Sequence, residues 1–515
     1  MDRHSPCPRR LHEPPLDWAR RTPDAPALSE GRTTWTYATL QAAMDEAGAL
    51  LRQLGVRRGD RVMLVGENSL ALAAFILAAS AADASAVLEN ARRAPHEVDL
   101  IRRHGDPRMV LYFSGASADA QAHAERHGAV ACTLPLNGRL HHLPQPADCA
   151  ADAVAGGDGD TAVLIYTTGT TGMPKGVMLS HANLLYLSAM MGRLRQVTPA
   201  DRVYGVLPIT HVMGLAGAFN GTLRAGAHVR LVARFSPADC AQSLQAEGIT
   251  MLQGAPAMFA KLVQYARNRP FTAPALRFIA AGGAPIDATV KTGTEALFGL
   301  PLHNGYGLTE GSGLCWTRIE APRSDCSVGL PLPGVELQVL GPDGRPVPAG
   351  TVGELWARGP NVMKGYYRQA DLTAKVLKPD GWFNTEDLAR VDPADGHVHV
   401  EGRSKDLIIA GGFNVYPLEV EMALNAHEAV VHSAVVGRRE DGSETVVAFL
   451  ELAPGRELGL AELQAHLAPR LSPYKRPREI WVMPALPVSP NGKVLKKQLQ
   501  ALAQQAAPEG AARLC

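Results

Sequence analysis

A short apolar run that leads into a loop of glycine, threonine and lysine constrains this chain more than any other feature. Residues 163–176 read Val-Leu-Ile-Tyr-Thr-Thr-Gly-Thr-Thr-Gly-Met-Pro-Lys-Gly. Glycines let backbone N–H groups approach a ligand closely, while threonine hydroxyls and Lys175 add further donors and a positive charge. The pattern predicts a buried strand followed by a cradle for a polyphosphate. Gly176 stands where a Walker A loop has Ser or Thr, so the loop is of another type. A flexible linker is the alternative interpretation.

Length and composition are typical of a multidomain globular protein. The chain has 515 residues, of which 46% are hydrophobic and 20% charged, so we expect two to four domains or subdomains. A formal net charge of +1 gives no electrostatic reason to expect nucleic acid as a partner. Seven cysteines without a Cys-x-x-Cys pair indicate reduced thiols and a cytoplasmic location, with neither a zinc site nor disulfides. The most apolar run, residues 70–82, is too short to span a bilayer, so we expect no transmembrane segment.

From residue 61 onward, predicted strands alternate with predicted helices. Such alternation indicates an α/β fold with a largely parallel sheet, and a second alternating block follows the glycine-rich loop. Residues 13–60 are predicted to be helical, and residues 115–160 to form a helix and a surface loop. After about residue 325, dense Pro and Gly predict a small β-barrel-like subdomain. Beyond residue 403, the pattern predicts a compact α+β domain of about one hundred residues.

Four further clusters carry side chains suited to binding a nucleotide. In residues 304–310, a tight turn presents Thr309 to a phosphate oxygen and Glu310 to a hard divalent cation. In residues 385–388, a fixed carboxylate is suited to both hydroxyls of a ribose. Residues 401–406 lie at the predicted domain boundary, and residues 487–493 end in a lysine after a turn. Taken singly, each cluster also fits an ordinary turn, helix cap or solvated surface.

Taken together and in this order, these segments resemble the adenylate-forming, AMP-binding superfamily of acyl-CoA synthetases, luciferases and adenylation domains. The resemblance extends over about residues 18–499, and the matching segments are YTTGTTGMPKG, LPITHVMGL, AGGAP, NGYGLTE, GWFNTEDLAR, EGRSKDLIIAGGFNVYP and PVSPNGKVLKKQL. It implies an N-terminal region, residues 1–402, of two α/β subdomains and a β-barrel subdomain. It further implies a small mobile α+β C-terminal domain, residues 403–515, with a hinge near Lys405.

The resemblance also implies a reaction and the residues that serve it. With Mg²⁺, a carboxylic acid and ATP would form an acyl-adenylate and pyrophosphate, and coenzyme A would then take the acyl group. Thr309 would contact the α-phosphate, Glu310 would bind Mg²⁺, and Asp387 and Arg403 would hold the ribose. The β- and γ-phosphates would be held by Thr167, Thr168, Gly169, Thr170, Thr171, Gly172 and Lys175. The adenine would be lined by Gly283, Ala284, Pro285, Asn304, Gly305 and Tyr306.

By the same resemblance, the C-terminal domain serves both half-reactions. Lys493 would contact the carboxylate and the α-phosphate, and rotation about Lys405 would then remove it. Gly411, Gly412 and Phe413 would border the path of the CoA pantetheine, although a plain hairpin turn is a compatible interpretation of the two glycines. His211 would gate the acyl pocket or face the carboxylate, with a structural core histidine as the alternative.

The acyl segment shows no basic residue beyond His211 for a second carboxylate, which favours a fatty or aromatic monocarboxylic acid. Two alternatives remain open: an adenylating enzyme that loads a separate carrier protein, and a non-catalytic nucleotide-binding relative. The joint presence of five charged residues argues against the second alternative: Lys175, Glu310, Asp387, Arg403 and Lys493. Assembly as a monomer or a homodimer also stays open.

The chain departs from the family pattern at a few positions. Thr168 stands where serine is usual and keeps the hydroxyl, and Glu386 stands where glycine is commoner. Ala410 stands where related CoA ligases often have a polar or basic residue. This last change bears on the transfer of the acyl group to CoA more than on adenylation in the first half-reaction.

Overall fold

The structure, a computed structural model, describes residues 7–144, 151–167, 174–410, 413–440, 443–488, 494–505 and 510–514. Within these residues, the strands form two large sheets of eight and nine strands and three small ones of four, two and four strands. Helices cover the large sheets, as the alternating pattern predicts. None of the helices in these ranges has both the length and the apolar character needed to cross a bilayer.

The helices, in chain order, are α1 (Glu13–Arg21), α2 (Tyr37–Gln53), α3 (Leu70–Ala81), α4 (Pro95–Gly105), α5 (Ala118–Arg126), α6 (His181–Leu194), α7 (Gly221–Arg224), α8 (Pro237–Ala246), α9 (Pro256–Asn268), α10 (Ala288–Phe298), α11 (Ala370–Val376), α12 (Pro417–Asn425), α13 (Leu460–Leu467) and α14 (Lys496–Ala503). A π-helix, Met213–Asn220, precedes α7 directly.

The strands are β1 (Pro26–Glu30), β2 (Thr33–Thr36), β3 (Arg61–Gly66), β4 (Ser85–Asn90), β5 (Met109–Tyr112), β6 (Val130–Leu134), β7 (Gly138–Pro144), β8 (Thr161–Thr167), β9 (Lys175–Ser180), β10 (Arg202–Gly205), β11 (His228–Leu231), β12 (Met251–Gly254), β13 (Phe278–Ala281), β14 (Leu302–Tyr306), β15 (Cys315–Trp316), β16 (Leu330–Pro331), β17 (Glu336–Leu340), β18 (Gly353–Arg358), β19 (Gly365–Tyr366), β20 (Phe383–Val391), β21 (Val398–Arg403), β22 (Ile408–Ala410), β23 (Phe413–Val415), β24 (Val430–Glu440), β25 (Ser443–Leu452), β26 (Glu479–Met483) and β27 (Ala512–Arg513).

The eight-stranded sheet carries the glycine-rich loop. Its order is β19-β9-β8-β4-β3-β5-β7-β6, and β8, β4, β3 and β5 run parallel. Strands β3 and β4 are buried along their whole length, as expected for a parallel sheet covered on both faces. Strand β9 returns antiparallel to β8, so Thr167 lies opposite Lys175. The two ends of the loop therefore lie side by side at one end of this sheet.

The nine-stranded sheet has the order β16-β15-β14-β13-β12-β10-β11-β1-β2, and β14, β13, β12, β10, β11 and β1 run parallel. The prediction that residues 13–60 are helical is wrong for β1 and β2, which pair with each other at one edge of this sheet. The prediction for residues 115–160 missed β6 and β7, which form an edge hairpin on the other large sheet. These strands escaped prediction because they are short, and because an edge strand such as β6 is half-exposed and lacks a continuous apolar run.

The segment predicted as barrel-like is built around a four-stranded antiparallel sheet, β17-β18-β20-β21. After it, β24 to β27 form another four-stranded sheet, which packs against α12 and α14. Buried hydrophobic residues between 11 and 398 form three clusters, and those between 408 and 503 form two others. In the described part of the chain, no cluster combines buried residues from both sides of residue 403. The hydrophobic cores therefore separate where the sequence pattern changes.

Candidate active site

Two glycine-rich turns lie side by side at the carboxyl ends of β13 and β14. These strands pair in parallel with Ala281 opposite Asn304, which brings residues 282–285 next to residues 304–306, as the sequence predicts. Gly283 has φ +80°, a conformation that favours glycine. A Cβ on Gly305 would lie 2.0 Å from Cε3 of Trp316. Only glycine at this position therefore lets the indole ring cover the turn.

A buried carboxylate joins this turn to the antiparallel sheet. The Tyr306 hydroxyl donates a hydrogen bond of 2.5 Å to Oδ2 of Asp387. Arg403 lies opposite Asp387 in the β20–β21 pair, with its Nε 3.3 Å from Oδ1 and 60% of its side chain exposed. Burial and the Asp387 charge raise the pKa of Tyr306 well above its ordinary value, so the phenol stays protonated and remains a donor. The structure thus unites residues that the sequence assigned separately to adenine and ribose.

A second carboxylate, Glu310, faces the strand that follows the glycine-rich loop. The Tyr366 hydroxyl donates to its Oε1 over 3.0 Å, and Nζ of Lys175 lies 4.8 Å from the centre of the Tyr366 ring. Burial raises the pKa of Glu310. Hydrogen bonds to its carboxylate, including the one from Tyr366, and the positive charge of Lys175 act in the opposite direction and lower it. Thr309 beside it is buried. Tyr366 therefore connects the two charged residues of the predicted phosphate and metal site.

Tyr366 is not among the site residues predicted from the sequence. Strand β19 places Tyr366 opposite Val177 of β9, two residues beyond Lys175. The segment Gly365-Tyr366-Tyr367 is a glycine followed by two aromatic residues, which is the only local signal. That signal does not point to Glu310, which lies 56 residues earlier in the chain.

The donor set around Glu310 suits Mg²⁺ bound together with phosphates. Among the described residues, no group of three or more His, Cys, Asp or Glu side chains is arranged to hold a metal ion. Mg²⁺ is usually held by one or two carboxylates, substrate phosphates and water, without a full protein cage. The partly buried carboxylate of Glu310, close enough to Lys175 to be influenced by its charge, fits that pattern.

The segment around His211 packs against the first glycine-rich turn. His211 is half-buried and leads into the π-helix Met213–Asn220, a rare conformation that occurs frequently at functional sites. The Met213 sulfur would lie 3.1 Å from a Cβ on Gly282. A Cβ on Gly214 would lie 2.1 Å from the Pro208 carbonyl oxygen, so the close return of the chain here requires glycine. The structure thereby places the predicted acyl segment beside the predicted adenine turn.

The position predicted as a hinge carries an ion pair. Nζ of Lys405 lies 2.6 Å from Oε1 of Glu386, with both side chains partly exposed. Glu386 has φ +58°, a left-handed conformation that costs a side-chain-bearing residue free energy and favours glycine. This backbone conformation explains why glycine suits the position in the related pattern. Further on, the exposed ring of Phe413 stacks on Tyr474 with the ring centres 4.7 Å apart.

The predicted site residues fall into two groups. One group lies outside the residues that the structure describes: Thr168, Gly169, Thr170, Thr171, Gly172, Gly411, Gly412 and Lys493. The other group is described and forms separate sets of contacts: Tyr306 meets Asp387 and Arg403, whereas Lys175 and Glu310 share Tyr366. Ala284 and Pro285 follow Gly283 in the same turn, and Thr167 ends β8.

Comparisons with known proteins agree with this arrangement. Residues 16–367 match the family described as AMP-binding enzyme, and residues 419–493 match the AMP-binding enzyme C-terminal domain. Feruloyl-CoA synthase of Amycolatopsis sp is 35% identical over 491 residues, which cover 94% of this chain and 97% of the relative.

Two solved structures extend the similarity to the fold. The ATP-bound MatB from Rhodopseudomonas palustris has a TM-score of 0.82 at 31% identity, covering 95% of this chain and 98% of that chain. The O-succinylbenzoate coenzyme A synthetase from Bacillus subtilis, in complex with ATP and magnesium ion, has a TM-score of 0.80 at 28% identity, covering 95% and 99%. The predicted fold class, a large N-terminal α/β region followed by a small C-terminal domain, is confirmed. This protein belongs to the family of AMP-binding enzymes.

Proposed function

We propose that this protein is an ATP-dependent, AMP-forming acid–CoA ligase. It activates a carboxylic acid as an acyl-adenylate, releases pyrophosphate, and passes the acyl group to the thiol of CoA with release of AMP. The observation that carries the proposal is the joining of Tyr306, Asp387 and Arg403 into one cluster beside the two glycine-rich turns. Relatives named as CoA ligases over nearly the full chain support the same reaction.

The first half-reaction needs positioning and fixed charge more than covalent chemistry by the protein. Attack of a carboxylate on the α-phosphorus gathers negative charge on the phosphate oxygens, and preorganised cations and donors stabilise it. Lys175 and Arg403 supply positive charge, and Thr309 supplies a hydroxyl for the α-phosphate. Glu310 would hold Mg²⁺, which when bound offsets negative charge on the phosphates.

The Tyr306–Asp387 hydrogen bond prepares the carboxylate for a ribose. Because the phenol holds one oxygen of Asp387 and Arg403 lies next to the other, the carboxylate cannot rotate freely. An ionised carboxylate accepts several hydrogen bonds at once, so Asp387 is suited to bind the ribose hydroxyls. The adenine then lies between the turns that contain residues 283–285 and 304–306.

The second half-reaction requires the two parts of the chain to move relative to each other. We assign residues 1–402 to an AMP-binding domain and residues 403–515 to a mobile domain, with the hinge at Lys405. The separate hydrophobic cores support this division. Lys493 would contact the carboxylate and α-phosphate in the first step. Residues 411–413 would border the pantetheine in the second step; these roles rest on the family resemblance.

The acid is a fatty or aromatic monocarboxylate. The π-helix beside the adenine turn presents buried apolar residues, among them Leu215, Ala216 and Phe219, which suit an apolar acyl group. His211 precedes this helix and would gate the acyl pocket or face the reacting carboxylate. The described cysteines are unpaired, in line with a reducing, cytoplasmic location.

A panel of acids tests the assignment. We expect AMP release with a fatty or aromatic acid to require CoA, whereas an adenylate that CoA does not discharge would favour a carrier protein as acceptor. Transfer of the acyl group to a phosphopantetheinylated carrier is assayed with the same preparation. The mass of the ligase in solution distinguishes a monomer from a homodimer. A protein that neither bound ATP with Mg²⁺ nor exchanged pyrophosphate into ATP with any acid would refute the ligase function.

Two variants separate the half-reactions. Lys493→Ala should abolish adenylation and largely spare thioester formation from supplied acyl-adenylate. Lys405→Pro should spare adenylation and impair thioester formation, because it restricts rotation at the hinge. Equal loss of both steps in Lys493→Ala, or unchanged turnover in Lys405→Pro, would contradict these roles.

A further inference from the structure

A buried asparagine holds the turn Thr309–Gly311, which carries the proposed contacts to the α-phosphate and to Mg²⁺. Asn361 is fully buried, and its Nδ2 donates to the carbonyl oxygens of Gly311 and Gly313, each over 2.6 Å. These two carbonyls flank Ser312, whose φ of +52° is a left-handed conformation. Such a conformation costs a side-chain-bearing residue free energy and persists only where the surroundings hold it. The Asn361 amide supplies two of the hydrogen bonds that do so.

Asn361 begins a bridging segment, residues 361–367, that joins this turn to strand β9. On one side, the backbone N–H of Met363 donates to the carbonyl oxygen of Glu310 over 2.8 Å. On the other side, two backbone N–H groups of the segment donate to carbonyl oxygens of β9 over 3.0 and 2.7 Å. Lys175 is the first residue of β9. Because hydrogen bonds fix both ends of the bridging segment, it determines how far Glu310 lies from Lys175.

A second buried asparagine anchors the start of the bridging segment. Nδ2 of Asn183 donates to the backbone carbonyl oxygens of the residues on either side of Asn361, over 2.7 and 3.0 Å. Its Oδ1 accepts a hydrogen bond from the backbone N–H of Ser180, as part of the cap of α6. Ser180 is also the last residue of β9. The two side-chain amides therefore connect the end of β9 to the turn Thr309–Gly311.

The chemistry of an amide explains why asparagine suits both positions. A buried carbonyl oxygen without a donor costs free energy, and one amide nitrogen supplies two N–H donors. Aspartate has nearly the same shape, but in its ionised form it has no donor. A Cβ on Gly359 would lie 2.6 Å from Oδ1 of Asn361, so glycine there leaves the room that the amide occupies. The side chain is thus held with Nδ2 toward the turn.

We propose that Asn361 and Asn183 are positioning residues of the first half-reaction, which act through Thr309 and Glu310. They hold these two residues in a fixed place relative to Lys175, so that ATP and its Mg²⁺ are bound without rearrangement of the protein. This inference rests on the proposed ligase function and adds two residues to its machinery that need not touch the nucleotide. A misplacement of about 1 Å in such a site can cost about 100-fold in rate.

The test compares Asn361→Ala with a matched control, Asn137→Ala. Asn137 is also buried, and its Nδ2 also donates two hydrogen bonds, to the Ala43 carbonyl oxygen over 2.9 Å and to the Glu46 carboxylate over 2.8 Å. It lies between β6 and β7, at the opposite edge of the eight-stranded sheet from β9 and β19. The control therefore removes a comparable structural amide without touching the turn or the bridging segment.

Calorimetry measures the Kd for ATP with Mg²⁺ and with EDTA, and AMP release gives the KM values for ATP and for the acid. In Asn361→Ala, we expect the Kd with Mg²⁺ and the KM for ATP to rise about 10-fold or more. The KM for the acid should stay within about twofold of the wild-type value, and the Kd in EDTA should change less, because Glu310 then has no cation to hold. Asn137→Ala should keep every wild-type value, even if its thermal melt shows a similar loss of stability.

Hydrogen exchange in the nucleotide-free, metal-free protein supplies a measurement that does not depend on turnover. The backbone N–H groups of Leu314 and Met363 donate to the carbonyl oxygens of Tyr306 and Glu310. In Asn361→Ala, both should exchange faster relative to the N–H groups of β3, because the turn is held less firmly. In Asn137→Ala, this ratio should equal that of the wild type.

Wild-type values of Kd and KM for ATP in Asn361→Ala would overturn the proposal, as would an equal rise of both in Asn137→Ala. If Asn361→Ala does not fold, as shown by its thermal melt, Asn183→Asp decides. Its carboxylate still accepts from the Ser180 N–H but cannot donate to the bridging segment, so the same rise in Kd and KM for ATP is expected. A wild-type protein that bound ATP with Mg²⁺ but released no AMP with any acid would refute the ligase function, while the Kd values would still test this inference.

Discussion

Replacing Tyr366 by phenylalanine removes the hydroxyl that donates to Glu310 and keeps the ring that lies under Lys175. A hydrogen bond to a charged group contributes about 1.5–3 kcal/mol, and each 1.4 kcal/mol corresponds to about tenfold in an equilibrium constant. If this hydrogen bond orients Glu310 for Mg²⁺, Tyr366→Phe should weaken productive Mg²⁺·ATP binding by about 10- to 150-fold. The retained ring should keep Lys175 in place.

The same substitution predicts a change in pH dependence. Burial raises the pKa of Glu310, and the Tyr366 hydroxyl lowers it by donating to the ionised form. Removing the donor raises this pKa further, and a protonated carboxyl group does not bind Mg²⁺. The acidic limb of kcat/KM for ATP should therefore move to higher pH in Tyr366→Phe, and excess Mg²⁺ should partly restore activity at low pH.

The assay is a Mg²⁺ titration of AMP release at several pH values. Tyr367→Phe is a matched control, because its hydroxyl points to Asp152 at 3.5 Å and its ring lies beside Arg61. That control should show the wild-type Mg²⁺ requirement and pH profile. The reasoning would be refuted if Tyr366→Phe also retained both, or if the two variants lost activity equally at every Mg²⁺ concentration.

Three further predictions follow from the described contacts. Asp387→Asn should raise the KM for ATP about 10-fold or more, because the neutral amide loses the charge-assisted bond with Tyr306; an unchanged KM would rule out the ribose role. Gly305→Ala sets a methyl group 2.0 Å from the Trp316 ring, so a thermal melt should show a loss of about 1–3 kcal/mol of stability, and an unaltered melt would mean that the ring moves freely. Burial lowers the pKa of His181 from 6.5 to about 3, so below pH 6.5 its unfolded form binds a proton that the folded form does not. The free energy of unfolding should therefore decrease as the pH is lowered below 6.5, by up to about 1.4 kcal/mol per pH unit. Denaturant titrations should show a smaller slope for His181→Gln.

Local patterns determined much of this protein. The order of strands and helices, the cap of α6 by Ser180 and the position of the glycine-rich turns at strand ends all follow from short-range physics. Capping, turn geometry and hydrophobic periodicity act between residues a few positions apart. The motif order was sufficient to identify the family. The strands β1, β2, β6 and β7 near the sheet edges were missed, because runs of four to seven residues carry little periodic signal and β2 and β6 are largely exposed.

Only the tertiary structure decided which side chains meet. Tyr306 and Asp387 are 81 residues apart in the chain, and Tyr366 and Glu310 are 56 apart, so no local pattern encodes either hydrogen bond. The same holds for Arg195, which in the sequence is one basic residue at the end of a helix and in the fold is a buried cation against Trp316. Burial, and with it the energetic importance of a charge, depends on what the rest of the chain places around a residue. That is why the chemistry of the site could be predicted in outline and the contacts between its residues could not.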